Sequence, residues 1–91
     1  MLLKDASLAG KRVLVTAGAS GIGLAISRGF VQSGAKVLVC DIDAKSLRRM
    51  QDSLPEIMTA VADVSDEQSV ERLFAQVDAQ LGGLDVMVNN A

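Results

Sequence analysis

Thr16-Ala17-Gly18-Ala19-Ser20-Gly21-Ile22-Gly23 follows the apolar run Val13-Leu14-Val15 and precedes a segment of helical periodicity. A strand that must reverse into a helix within a few residues needs backbone freedom, and glycine supplies it. Glycine allows positive φ in the turn, lets a ligand approach bare backbone, and lets the helix pack closely on the strand. Unpaired N–H groups at the start of that helix, together with its dipole, suit the turn to a phosphate group. The alternative is a glycine-rich join that holds no ligand. Gly18, Gly21 and Gly23 exceed what such a join needs, since one turn or cap glycine suffices. A second apolar run over 35–40 and an acid, Asp41, 18 positions beyond Gly23, supply the context that gives such a motif weight.

Outward from this turn, four short apolar runs alternate with three helical patterns, which predicts a parallel sheet with crossover helices. The strands are expected over 12–16, 36–41, 57–63 and 85–89. Their Val, Leu, Ile and Met content without strict alternation suits strands covered on both faces. The first helix, over 21–33, repeats small or apolar residues at Ile22, Ala25, Ile26, Gly29 and Phe30 and stops at Gly34. The second, over 44–53, follows Asp43 as N-cap and carries Leu47, Met50 and Leu54 on one face before Pro55. The third, over 66–81, has the stripe Val70, Leu73, Phe74, Val77 and Leu81. Ser65 and Gln68 stand at capping-box spacing before it, and Gly82-Gly83 ends it. Right-handed crossovers place the first two helices on one face and the third on the other, giving the strand order 3-2-1-4.

The chain has 91 residues, 49% of them hydrophobic and 22% charged, which is the composition of a globular domain. A net charge of −2 without a basic stripe speaks against nucleic acid as a partner. No apolar run approaches the ~20 residues of a membrane span. Residues 1–5 do not read as a signal peptide. Cys40 is the single cysteine, so no intrachain disulfide is expected and a reducing, cytoplasmic location is. There is no His and no Tyr, so acid–base chemistry near neutral pH would require a shifted Lys, Cys or carboxylate.

Four features together resemble the short-chain dehydrogenase/reductase family over residues 8–91. They are the turn Thr16-Ala17-Gly18-Ala19-Ser20-Gly21-Ile22-Gly23, Asp41 after the second strand, Asp63-Val64 after the third, and Asn89-Asn90-Ala91 after the fourth. One departure stands in the turn, where Ala17 occupies the place of the family's first glycine and Gly18 follows it. The resemblance implies an α/β fold, half of a doubly wound parallel (Rossmann) sheet that stops after strand four. It makes 1–91 the N-terminal dinucleotide-binding part of a single domain. It implies NAD as cofactor and hydride transfer between NAD(H) and a carbonyl or secondary alcohol. The family's catalytic Ser and Tyr-x-x-x-Lys lie beyond its Asn-Asn-Ala segment, so no catalytic residue is expected among these 91 residues. The parent enzyme is expected to be a homo-oligomer, as related enzymes are. No metal site is expected.

The resemblance and the residues together assign cofactor contacts to Gly18, Ser20, Gly21, Ile22, Gly23, Asp41, Asp63, Val64 and Asn90. In the turn, Ser20 and Ile22 offer backbone N–H groups, and Thr16 closes the turn. A carboxylate at position 41 can accept hydrogen bonds from both hydroxyls of an adenine ribose and repels a 2′-phosphate. No Arg or Lys stands at position 20 or 42 to hold that phosphate, so NAD is preferred to NADP. Asp43 competes for the ribose but reads better as a helix cap. Asp63 is either a polar strand end or, with the backbone of Val64, an adenine contact. Asn90 brings backbone to the ribose, and Asn89 steadies the sheet. Cys40 is expected to be a small core residue. Two other readings stay open, a nucleotide-binding module without catalysis and an α/β half-domain that binds no nucleotide. As an isolated piece, the 91 residues would expose the edge of strand four and aggregate or become partly molten.

Overall fold

Because a helix separates each strand from the next, neighbouring strands run parallel and every connection crosses a face of the sheet. The computed structural model describes residues 6–90, so the start of the chain over 1–5 and Ala91 of the Asn-Asn-Ala segment lie outside the described residues. A 3-10 turn (Ala6–Leu8) leads into β1 (Arg12–Thr16), α1 (Gly21–Gln32), β2 (Lys36–Asp41), α2 (Ala44–Ser53), β3 (Met58–Val61), α3 (Glu67–Leu81) and β4 (Val86–Asn89). The four strands form one parallel sheet in the order β3-β2-β1-β4, as expected from crossover handedness. Val13 lies beside Val37 on one side and Val86 on the other.

Successive side chains of one strand face opposite sides of the sheet, so each inner strand feeds two cores. Val13, Val15, Val37 and Val39 pack with Phe30, Leu47 and Met50 under α1 and α2. Leu14, Leu38 and Cys40 pack on the other face with Leu73, Val77 and Leu81 of α3. Cys40 is fully buried there, as expected of a core residue.

The element ends show where local signals met competition. Asp43 caps α2 as expected, accepting from the N–H groups of Lys45 and Ser46 and from the Ser46 hydroxyl. These bonds, led by the Ser46 hydroxyl, hold its carboxyl below the usual carboxylate range. The capping box at Ser65 and Gln68 does not form. Asp66 is the N-cap of α3, without a side-chain cap bond, and the Ser65 hydroxyl donates instead to Asp63 Oδ1 at 2.6 Å. A charged acceptor two residues back forms a stronger bond than the helix amide the hydroxyl would otherwise serve.

β3 is shorter than the expected 57–63 because its ladder partner, β2, pairs with it over Met58–Val61. Ile57 drops into the core instead, almost fully buried. α1 ends at Gln32 rather than 33. β4 begins at Val86 rather than 85, although the Asp85 N–H still donates to the Arg12 carbonyl at 2.9 Å. Among the described residues no helix is long and apolar enough to cross a membrane.

Candidate functional site

The carboxyl ends of β1, β2, β3 and β4 open on the same edge of the sheet, where open α/β sheets hold their ligands. Order there begins with Thr16, whose buried hydroxyl accepts from the N–H of Asn90 at 2.9 Å and contacts Asn89 Oδ1 at 3.2 Å. Thr16 thus ties the end of β1 to the end of β4, and Asn89 takes the sheet-steadying place expected of it. Ala17 follows with φ 52, a left-handed conformation that costs an L residue about 1–2 kcal/mol. Its carbonyl accepts from Asn90 Nδ2 at 3.0 Å. The departure from glycine at position 17 therefore leaves a strained residue clamped from the neighbouring strand.

The three glycines of the turn do different work. Gly18 is buried, and its N–H donates to the Cys40 carbonyl at 3.3 Å. A Cβ there would sit 2.7 Å from Val39 Cγ1 and 2.9 Å from Val15 Cγ1. Gly23 lets the first turn of α1 press on the loop, because a Cβ would meet the Ala17 carbonyl and lie 2.7 Å from Asn90 Nδ2. Gly21 alone faces open space, with φ +58 and no atom within 4 Å of a Cβ position. Gly18 and Gly23 therefore act through packing, and Gly21 forms the exposed bend.

Ser20 is the N-cap of α1, extended and exposed, and its hydroxyl makes no cap bond. The first bond of α1 runs from Leu24 N–H to the Ser20 carbonyl at 3.2 Å, so the amides of Gly21, Ile22 and Gly23 have no carbonyl within the helix to meet. Ile22 is 74% exposed beside them.

Asp41 closes the turn from the β2 side. One carboxylate oxygen accepts from Ala19 N–H at 3.2 Å and the other from Asp43 N–H at 3.0 Å. Each oxygen keeps a lone pair beyond these bonds. A cavity of about 150 Å³ lies between Asp41, Ile42, Ala62, Asp63 and Val64. Asp63 bends back on Ser65, whose hydroxyl and N–H hold its carboxyl below the usual range, while its own N–H donates to the buried Ser69 hydroxyl at 2.9 Å. Beyond Val64 a second cavity of about 430 Å³ extends toward β4, lined by Phe74, Met87 and Asn89. Burial pushes the Cys40 thiol up, which removes it as a nucleophile. No cluster of metal-ligating side chains occurs among the described residues.

All nine residues expected at the site thus lie along one edge, although Gly18 and Gly23 stand beneath its surface. Two contributions escape the sequence. The Asn90 side chain clamps Ala17, and Ile42, 69% exposed, walls the smaller cavity. An isoleucine directly after the acid at a strand end was the available signal for the second. Nothing local signals the first.

Residues 11–91 match the family model described as short chain dehydrogenase. The short chain dehydrogenase/reductase dpchG of Colletotrichum higginsianum is 45% identical over 91 residues, covering 92% of this chain and 33% of that protein. A short chain dehydrogenase from Mycobacterium smegmatis superposes with TM-score 0.89 at 36% identity, over 96% of this chain and 38% of the other. A 3-ketoacyl-(acyl-carrier-protein) reductase from Brucella melitensis, solved with NADH, superposes with TM-score 0.84 at 28% identity, over 88% and 33% of the two chains. An open parallel sheet with a glycine-rich turn after its first strand is the nucleotide-binding architecture of α/β oxidoreductases. This chain belongs to the short chain dehydrogenase family, whose members are oxidoreductases that bind a nicotinamide cofactor. It spans about a third to a half of the length of the curated relatives it matches.

Proposed function

We propose that residues 1–91 form the dinucleotide-binding part of a domain in an NAD-dependent oxidoreductase acting on a carbonyl or secondary alcohol. The observation that carries this reading is the set of helix-start amides at Gly21, Ile22 and Gly23, without partners inside the helix, of which Gly21 and Ile22 belong to exposed residues, beside a turn anchored by Asp41. A pyrophosphate fits there: the amides lack internal acceptors, the bend at Gly21 is open, and any Cβ at Gly23 would collide with the loop beneath.

The chain's own residues then bind and orient. Gly18 and Gly23 hold the turn against β1 and β2. Ser20, Gly21 and Ile22 present donors to the phosphates. Asp41, fixed by two backbone N–H groups, keeps lone pairs for the adenine ribose hydroxyls and repels a 2′-phosphate, which favours NAD. The cavity between Ile42 and Val64 takes the adenine ring between apolar walls, with Asp63 at its rim. Asn90, pinned to Thr16 and Ala17, sets the backbone beside the second ribose. When bound, the nicotinamide supplies a hydride donor or acceptor. No residue described here takes a catalytic role, which falls to the Ser, Tyr and Lys that the family carries further along. Such an enzyme works in the cytoplasm, as a homo-oligomer.

The test is a fluorescence titration of the protein with NADH, followed by Asp41→Asn. Saturable binding, with a narrowed NADH over NADPH preference in the variant, is expected. Absence of binding at millimolar NADH overturns the reading. Binding without hydride transfer to any carbonyl would favour the non-catalytic nucleotide module.

A further inference from the structure

Thr16, Ser27, Ser46 and Ser69 are the buried polar side chains among the described residues. Thr16 joins β1 to β4, Ser27 donates within α1 to the Gly23 carbonyl at 2.8 Å, and Ser46 belongs to the cap of α2. Ser69 has a different partner. It sits in the first turn of α3 and accepts, at 2.9 Å, the N–H of Asp63, six positions back and outside the helix. A hydroxyl taken out of water needs a partner, and here that partner is an amide of the loop that walls the smaller cavity.

Val61 ends β3, and the Ala62 N–H still donates to the Asp41 carbonyl at 3.0 Å, so the sheet grips the chain as far as Ala62. Past it the ladder ends, and the bonds around Asp63 set the path of the loop. The Asp63 carbonyl accepts from the Asp66 N–H at 3.1 Å, and its Oδ1 accepts from the N–H and hydroxyl of Ser65 at 2.9 and 2.6 Å. Ser65 and Asp66 are exposed neighbours in the same turn, whereas Ser69 is buried where α3 packs on the sheet through Leu73 and Val77. The Ser69 hydroxyl therefore ties the loop to the core. Val64, next along, is 41% exposed and lines both cavities.

We infer that Ser69 is a positioning residue for the adenine half of the dinucleotide, because its hydroxyl, through the Asp63 N–H, fixes Asp63 and Val64 in the shape that walls the cavity. The inference rests on the dinucleotide reading, in which that cavity takes the adenine ring. Ser69 lines neither cavity and acts through Asp63. A loop held in one shape before binding delivers its full affinity, whereas a loop that visits several shapes binds in the competent fraction alone, and its apparent affinity falls by that fraction. In the same reading the nicotinamide half lies beside Asn90, which Thr16 and Ala17 hold and Ser69 does not.

The experiment measures dissociation constants of the whole protein for NADH, AMP and nicotinamide mononucleotide in the unaltered chain, Ser69→Ala and Ser69→Thr, by fluorescence for NADH and by its displacement for the two halves. Loss of one neutral hydrogen bond corresponds to about fivefold. Ser69→Ala is expected to weaken NADH and AMP by about that factor and to leave nicotinamide mononucleotide unchanged, and Ser69→Thr, which keeps the hydroxyl, to return most of the loss. A general loosening of the fold weakens both halves alike, so equal losses, or none, overturn the positioning role and spare the dinucleotide reading. Hydrogen exchange of the Asp63 amide in the unaltered chain needs no variant. Slow exchange is expected, and exchange at the rate of an unstructured peptide overturns the role even where Ser69→Ala fails to fold. Failure of NADH to bind the unaltered chain overturns both the role and the dinucleotide reading.

Discussion

β1 and β4 lie side by side and read almost alike, Val13-Leu14-Val15-Thr16 against Val86-Met87-Val88-Asn89, paired residue for residue. Val13, Leu14 and Val15 are nevertheless wholly inaccessible, whereas Met87 is 49% exposed and Val86 and Val88 are half-buried. Composition does not separate the two strands; neighbours do. β1 is flanked by β2 and β4 and covered by helices on both faces, while among the described residues β4 pairs with β1 alone. The inner strand carries the glycine-rich turn. The outer strand supplies the two asparagines that brace it, and so the site is built from one strand buried on both faces and one that is tied to it through Thr16.

Substitution should expose this difference most strongly at the paired positions 14 and 87. Leu14→Ala removes a fully buried side chain and should cost about 3–5 kcal/mol, read from urea midpoints. Met87→Ala should cost under about 1 kcal/mol, because half of that side chain is already in water. Equal losses would show that the two strands are buried alike. Next in size, Gly23→Ala forces a methyl group onto the Ala17 carbonyl and Asn90 Nδ2, where β1's turn meets the end of β4. Overpacking of this kind costs about 1–3 kcal/mol, and NADH affinity should fall with it. Retained affinity would mean that the turn tolerates movement.

The opposite end of the same strand pair is joined by Arg12 and Asp85, with two guanidinium contacts of 3.0 and 3.1 Å and the Arg12 N–H at 2.8 Å. These bonds hold the Asp85 carboxyl far below the usual range, led by the Arg12 side chain and then its N–H. A depressed carboxyl contributes stability that is present above its unfolded pKa, about 4, and lost as pH falls through the folded value. Asp85→Asn should therefore lower the melting temperature at pH 7. Its deficit against the unaltered chain should shrink below about pH 4. A deficit that stays constant down to pH 2 would mean the charge is not what joins the strands. The smallest effect is a gain. Ala17→Gly relieves the left-handed residue and, against the greater unfolded-state entropy of glycine, should add about 0.5–1 kcal/mol by thermal denaturation.

Much of this architecture can be read before any coordinate is known. Asp43 signals the start of α2 because an acid before a helical stripe has the amides of the next turn within reach, and those amides are local. Ser65 misleads for the same kind of reason. Its pairing with Gln68 is also local, but Asp63 offered the hydroxyl a charged oxygen at shorter range. Ile57 reads as strand because it is apolar, and pattern alone does not distinguish a side chain paired in a ladder from one filling a core. In the site, residue types and spacing pointed to Asp41 and the glycines. They did not reveal that the Gly18 N–H is engaged by the Cys40 carbonyl, nor that the Ser69 hydroxyl holds the Asp63 N–H.

Alternation of strand and helix, the caps, and the order of the sheet follow from interactions between chain neighbours and from the handedness of L-residues, which act without regard to distant partners. The brace from Asn90 to Ala17 spans 73 positions, and that from Asp41 to Ala19 spans 22. Such contacts exist only once the sheet has brought strand ends together. Burial is likewise a property of the assembled layers, which is why two nearly identical strands came to lie one inside and one at the rim.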